Sequence, residues 1–258
     1  MNQAPIGLFD SGMGGLSVLA ALKALMPNEN YLYYADTANM PYGNLSDSDI
    51  YRLTYRGLMY LVGRGVKCAV IACNTATNVG IGRLRPALGI EITGMEPAVK
   101  PAAQSGAKNI LIATTLATYN QQKFRELVQS HAPDSAVCCP SKDLARTIED
   151  NPFSQEVLLD AVTRQYGKFS ADTDAAVLGC THYVLIKPLF ARVLSGAKLF
   201  DGNAGTAAHV HAKLERAGLL SQRNINGDTE IITSCGSRER ATLYRDITAR
   251  CNAEGSIY

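Results

Sequence analysis

Two cysteines stand in near-copy contexts in this chain of 258 residues, Val70-Ile71-Ala72-Cys73-Asn74-Thr75-Ala76 and Val177-Leu178-Gly179-Cys180-Thr181-His182-Tyr183. Each follows an apolar, β-favouring run and precedes a residue with an amide or hydroxyl group. The run reads as a buried strand and the polar residues as the start of a helix. In an open α/β sheet, that junction at the carboxyl end of a strand is where ligands bind. A cysteine there lies beside unpaired backbone N–H groups and the positive end of a helix dipole, which favours the thiolate. Two thiols on opposite faces of a carbon that bears hydrogen can invert it. One thiolate removes the proton, and the other thiol returns one from the far side. No redox change and no cofactor are needed. The α-hydrogen of an amino acid is a weak acid, so the charge that develops on its carboxylate needs preorganised N–H and O–H donors.

Donors of that kind are Ser11, Tyr42, Gly43, Asn74, Thr75, Thr118 and Thr181. Titratable groups that could tune the thiols or meet a substrate ammonium are Asp10, Asp36, Glu149 and His182. Plainer roles stand beside these. Asn74 and Thr75 could cap a helix, and Asp36 and Glu149 could be caps or surface charges. The turn Asp10-Ser11-Gly12-Met13-Gly14-Gly15 lets a backbone approach a ligand closely and could bind an anion such as a carboxylate. Asp10 would repel an anion and better suits a positive group. The turn lacks the full nucleotide fingerprint, since Ser17 stands at its last position. His209 and His211 do not share a helix face, and there is no C-x-x-C, so no metal is expected.

The elements that must position these residues alternate between strand and helix. Strands are expected at Pro5 to Phe9, Tyr31 to Tyr34, Cys68 to Ala72, Asn109 to Ala113, Ala175 to Leu178, Lys198 to Phe200 and Glu230 to Thr233. Helices are expected from the glycine turn to Met26, then at Ser46 to Val62 with Gly63 as the stop, Gln121 to Gln129, Pro140 to Glu149, Gln155 to Tyr166, Val184 to Leu194, Thr206 to Ala217 and Arg238 to Arg250. Strand–helix alternation implies parallel sheets with helices on both faces. The pattern restarts after Gly94-Met95-Glu96-Pro97, which suggests two α/β units, a weak internal duplication and a cleft between them.

Composition agrees with a globular enzyme: 47% hydrophobic, 19% charged and a net charge of +2, which gives no electrostatic case for a nucleic-acid surface. No apolar run approaches a membrane span, and Met1-Asn2-Gln3-Ala4-Pro5 lacks the order of a signal peptide, so a cytoplasmic protein is expected. Seven cysteines, an odd number, are expected to be mostly free thiols.

The chain resembles the glutamate racemases. The resemblance is carried by Ile6 through Val18, by Asp36-Thr37-Ala38 with Pro41-Tyr42-Gly43, by Ala72 to Ala76, and by Leu178 to Tyr183. It implies two pseudo-symmetric α/β domains, each a mainly parallel sheet flanked by helices, with the active site in the cleft. It places residues 1–97 plus 208–258 in one domain and 98–207 in the other. It implies cofactor-independent racemisation of glutamate, with D-glutamate supplied to peptidoglycan synthesis, and the homodimer usual in the family. Cys73 would act on D-glutamate and Cys180 on L-glutamate. Asp10, Ser11, Tyr42, Gly43, Asn74, Thr75, Thr118, Thr181 and His182 would contact substrate, with Asp36, Glu149 and His182 in support. Thr114-Thr115-Leu116-Ala117-Thr118 departs from the family's Gly-Thr-x-x-Thr, which leaves the contacting threonine open. Racemisation of aspartate or another amino acid is the nearest alternative. A non-catalytic ligand-binding protein on the same scaffold is another, and retention of both cysteines argues against it.

Overall fold

A computed structural model describes residues 3–251 and 255–258. Met1, Asn2 and residues 252–254, which the expected first domain includes, lie outside the described residues. The chain opens with β1 (Ile6–Asp10), α1 (Leu16–Leu25), β2 (Tyr31–Ala35), α2 (Asp47–Gly63), β3 (Cys68–Ile71), α3 (Asn74–Leu88) and β4 (Ile92–Gly94). There follow α4 (Val99–Gln104), β5 (Ile110–Thr115), α5 (Leu116–Asn120), α6 (Gln122–His131), β6 (Ala136–Ser141), α7 (Leu144–Asp150), α8 (Gln155–Tyr166), β7 (Ala175–Leu178), α9 (Thr181–Leu185), α10 (Lys187–Val193) and β8 (Lys198–Phe200). The chain closes with α11 (Asn203–Arg216), β9 (Thr229–Thr233) and α12 (Arg238–Arg250).

The strands form two sheets, ordered β4-β3-β1-β2-β9 and β6-β5-β7-β8, with every pairing parallel. The strands β1, β3, β5 and β7 are buried along their whole length, as central strands covered by helices on both faces must be. Both sheets share one winding. The first strand of each series lies between the second and the third, and the fourth lies outside the third. The winding direction therefore reverses between β1 and β3 and again between β5 and β7. Ligands bind beyond the carboxyl ends of strands at such reversals. Cys73 directly caps α3 after β3, and Cys180 caps α9 after β7, so the two sequence copies occupy equivalent places. The C-terminal segment returns to the first sheet, where β9 pairs with β2 and α11 packs on α1 and β4.

Three local expectations need correction. Residues 136–141 form a strand, and the helix expected from Pro140 begins only at Leu144. Pro140 is tolerated because β6 is an edge strand, where a missing N–H costs no ladder bond. The helix expected from Val184 to Leu194 is two helices that meet at Ile186, two residues before Pro188, which cannot continue a helical hydrogen-bond ladder. Helix α2 runs through Gly63, and the left-handed residue after it is Gly65 at φ 73°. Its start is as expected: Ser46 accepts the Asp49 N–H at 3.2 Å, and Asp47 and Asp49 face the positive helix end. Among the described residues, no helix is long and apolar enough to cross a membrane.

The segments at the amino ends of β2, β3 and β9 are tied by one buried ion pair. Lys67 Nζ lies 2.5 Å from Glu29 Oε2, with the side chains only 2% and 4% exposed. Lys67 also donates to the Leu219 carbonyl at 2.8 Å, and Glu29 accepts the Ser221 N–H at 2.7 Å. Lys67→Met leaves Glu29 buried without its cation. The expected result in urea unfolding is a loss of about 3–5 kcal/mol. A loss within 1 kcal/mol of zero would show that the pair does not clamp these segments.

Candidate active site

The turn after β1 reaches across to the second sheet, and its glycines explain how. A β-carbon on Gly14 would stand 2.7 Å from the His182 backbone nitrogen, and one on Gly12 would stand 2.6 Å from Glu149 Oε2. No side chain fits at either point. The N–H groups of this turn do bind anions, as expected, but the anions belong to the chain. Gly12 N–H donates to Asp10 Oδ1 at 2.9 Å, and Met13 N–H donates to Glu149 Oε2 at 3.0 Å. Of this turn, Ser11 lines the pocket described next. Asp10 also accepts the Thr181 hydroxyl at 3.2 Å, which ties the end of β1 to the start of α9.

Between the two reversal points lies a small pocket. Cys73 and Cys180 both line it, with Ser11, Tyr42, Gly43, Asn74, Thr75, Thr181 and His182 from the expected set. Pro41, Thr115 and Ala145 complete its wall. Its volume is about 20 Å³, room for about one water molecule and too little for an amino acid.

Several expected residues stand behind this wall. Thr118 is wholly buried and bonds to Thr75 and Thr115 through its hydroxyl, at 3.1 and 3.0 Å. The threonine at the cavity wall is Thr115, which closes a triangle with Thr75 at 3.0 Å. Hydroxyl hydrogens rotate, so this triangle can turn its O–H groups toward an incoming carboxylate. Asp36 does not reach the thiols. It accepts the Tyr42 hydroxyl at 2.6 Å and the Asn39 amide at 2.9 Å, and so fixes Tyr42 at the wall. Asn74 does not cap α3, where no side-chain cap exists, and its Oδ1 is buried without a partner. An unpaired buried oxygen is costly, and at a cavity wall it marks the place of a donor such as an ammonium.

The two sulfurs have different surroundings. Burial, then the Asp10 carboxyl, pushes the Cys73 thiol up to about 12. Ser11 Oγ lies 3.7 Å from it. Cys180 Sγ lies 3.9 Å from His182 Nδ1, and His182 Nε2 lies 2.8 Å from Glu149 Oε2. Burial works against a charged imidazole, yet the bonds to Cys180 and Glu149 hold His182 well above its usual range. Burial likewise favours a neutral Glu149, and His182, the Met13 N–H and Tyr244 outweigh it and lower its pKa. Glu149 and His182 thus form an ion pair beside Cys180. Burial raises Asp10 to about 6, with the His182 charge and the Gly12 N–H opposing it.

The sequence reading left Thr115 open among three threonines; it missed Pro41 and Ala145 at the wall, and it missed Arg240 and Tyr244, which both bond to Glu149 Oε1. Thr115 carried a signal, since it ends the first strand of the second series as Asp10 ends that of the first. Arg240 and Tyr244 carried only their i, i+4 spacing on a helix far along the chain. All seven cysteines are free thiols.

The Asp/Glu/Hydantoin racemase family model matches residues 16–211. The chain belongs to this family. It is 40% identical to the glutamate racemase of Herpetosiphon aurantiacus over 240 residues, covering 91% of this chain and 94% of that one. Among solved structures it is similar to Thermus thermophilus glutamate racemase in complex with β-chloro-D-alanine, at 32% identity and a TM-score of 0.75, covering 95% and 92% of the two chains. It is also similar to Escherichia coli glutamate racemase in complex with L-glutamate and the activator UDP-MurNAc-Ala, at 30% identity and a TM-score of 0.80, covering 94% and 95%.

Two variants test the geometry. Gly14→Ala puts a methyl group against the His182 backbone, and the expected outcome is soluble protein that loses more than about tenfold in racemase-type turnover, since misplacement by about 1 Å costs about 10²-fold; full turnover would contradict the close approach. Asp10→Asn tests burial. The folded pKa of about 6 exceeds the ordinary 3.8, so the Asp10 contribution to wild-type stability declines as pH rises from about 4 to about 6 and is level above that. Asn cannot titrate, so relative to wild type the variant should gain roughly 2–3 kcal/mol across that window in urea melts. A pH-independent difference would show that Asp10 is not buried as described.

Proposed function

We propose that this chain interconverts L- and D-glutamate by passing a proton between Cys180, Cα and Cys73. The observation that carries this reading is the pair of thiols. They are delivered to one small pocket by equivalent strand ends of two sheets, within a fold whose relatives are glutamate racemases.

From L-glutamate, the Cys180 thiolate takes the α-proton and becomes a thiol. The electron pair left on Cα spreads into the α-carboxylate. The Cys73 thiol then gives its proton to the opposite face of Cα and becomes a thiolate. The reverse direction exchanges the roles. The surroundings already suit the first direction, because Cys73 is held as a thiol and the His182 imidazolium stands beside Cys180. Asn74 Oδ1 receives the substrate ammonium. The hydroxyls of Ser11, Thr75, Thr115 and Thr181 and the backbone at Gly43 bind the carboxylates, with Thr118 and Asp36 holding the wall from behind. Expulsion of water from so small a cavity strengthens each of these interactions.

Glutamate is favoured over aspartate because the curated relatives at 35–40% identity are glutamate racemases. Two units, residues 1–97 with 208–258 and residues 98–207, would part to admit substrate and close on it. The family resemblance supports a cytoplasmic location, a homodimer and a product used for peptidoglycan, and free thiols suit a reducing compartment.

The test is exchange of the α-hydrogen in D2O, followed by NMR on each enantiomer. Cys180→Ser should lose exchange from L-glutamate, and Cys73→Ser from D-glutamate, each by at least about 10²-fold. Wild-type racemisation surviving in either variant would sink the two-thiol assignment.

A further inference from the structure

Glu149 is buried, with its side chain 1% exposed, and takes four donors. Its Oε2 faces the catalytic side, where it meets His182 Nε2 at 2.8 Å and the Met13 N–H at 3.0 Å. Its Oε1 faces the other way, toward α12. There it accepts the Tyr244 hydroxyl through a short hydrogen bond and Arg240 Nη1 at 3.3 Å. The two residues stand one helical turn apart, so α12 presents both to the same oxygen. That turn is fixed by Ser237, whose hydroxyl accepts the Arg240 N–H at 3.2 Å. Tyr244 is wholly buried, and Arg240 has a side chain 36% exposed.

We propose that Tyr244 and Arg240 are positioning residues for the Cys180 half of the reaction, holding Glu149 as the anion that keeps His182 charged beside Cys180. This rests on the racemase reading. The physical case is a balance. A buried carboxylate tends to take up a proton, and here the nearest source is His182 itself. Proton transfer from His182 to Glu149 would leave two neutral groups and remove the cation beside the sulfur. Hydrogen bonds to Oε1 oppose that transfer because they stabilise the charged form of Glu149 more than the neutral one, whose carbonyl oxygen is the weaker acceptor. The charged or titratable groups around the pair are Cys180 and Asp10 on the His182 side, and Tyr244 and Arg240 on the Glu149 side, with Tyr33 beneath the glycine turn near both carboxylates and Cys235 beyond Arg240. Among the described residues Cys73 has no cation in matching support, since the groups acting on it are Asp10, the Ala76 N–H, Ser11, Cys180, Tyr33 and Tyr42. The C-terminal helix thus acts on one thiol and not on the other.

The asymmetry gives a readout that loss of stability would not move. L- and D-glutamate are equally stable, so any variant must lower kcat/KM by the same factor in both directions. Primary isotope effects separate the two halves. L-[2-²H]glutamate reports proton removal by Cys180, and D-[2-²H]glutamate reports removal by Cys73. For Tyr244→Phe, we expect kcat/KM to fall about tenfold or more in both directions, the loss typical of a hydrogen bond to a charged group. The isotope effect should rise for the L substrate and fall toward one for the D substrate. In ¹⁵N NMR of the imidazole, assigned with His182→Asn, the His182 titration should move to lower pH. Arg240→Gln, at a partly exposed position, should shift all three in the same directions by less. Arg240→Lys should restore part of that shift by keeping the charge.

Isotope effects that stay fixed or move together, with an unmoved His182 titration in both Tyr244→Phe and Arg240→Gln, would overturn the proposal whatever the melting temperature does. Wild-type protein that racemises neither enantiomer would instead sink the glutamate reading, while the His182 titration would still judge Tyr244.

Discussion

The structure depends on a contact between backbone and side chain that only glycine permits. The turn after β1 carries nothing at Gly12 and Gly14, and into that space come Glu149 and His182 from the other sheet. The approach places the ends of β1 and β3 against the ends of β5 and β7. It also lets the turn's N–H groups help stabilise the charge on Asp10 and Glu149, two carboxylates whose ionised forms burial disfavours. A side chain at either glycine would push the sheets apart and separate the two cysteines. The glycine turn looks like a ligand loop, yet its work is to join the two halves.

From that junction the polarity of the site follows. One thiol is buried near Asp10, and the other stands beside a cation held by a buried carboxylate. A symmetric winding of two sheets therefore carries an asymmetric distribution of charge. Racemisation between equally stable enantiomers does not need identical thiols. It needs one poised to take a proton and the other poised to give one, with the roles exchanged after each turnover.

Much of this was legible in the residues. The near-copy contexts of Cys73 and Cys180 located both strand ends, because an apolar run followed by a capping residue is a local signal. Asp10, Ser11, Tyr42, Gly43, Asn74, Thr75, Thr181 and His182 were legible because they adjoin those strand ends or accompany them in the family's motifs. Strand β6 was hidden by Pro140 and by two half-buried cysteines at an edge, where strand patterning is weak. Thr118 and Thr115 are three residues apart on a short helical turn, and sequence alone does not say which one faces the cavity. The link from α12 to Glu149 spans some ninety positions of chain. No local pattern encodes it, since it arises only when β9 joins the first sheet and carries α12 across the back of the site.

The central claim is that the two sulfurs address opposite faces of one carbon. The most direct measurement is a crystal structure with glutamate bound, from which the position of Cα relative to each Sγ is read. The account predicts both sulfurs within about 3.5 Å of Cα, on opposite sides of the plane of its three non-hydrogen substituents. Two sulfurs on the same side, or one turned away into its own sheet in the closed complex, would contradict it.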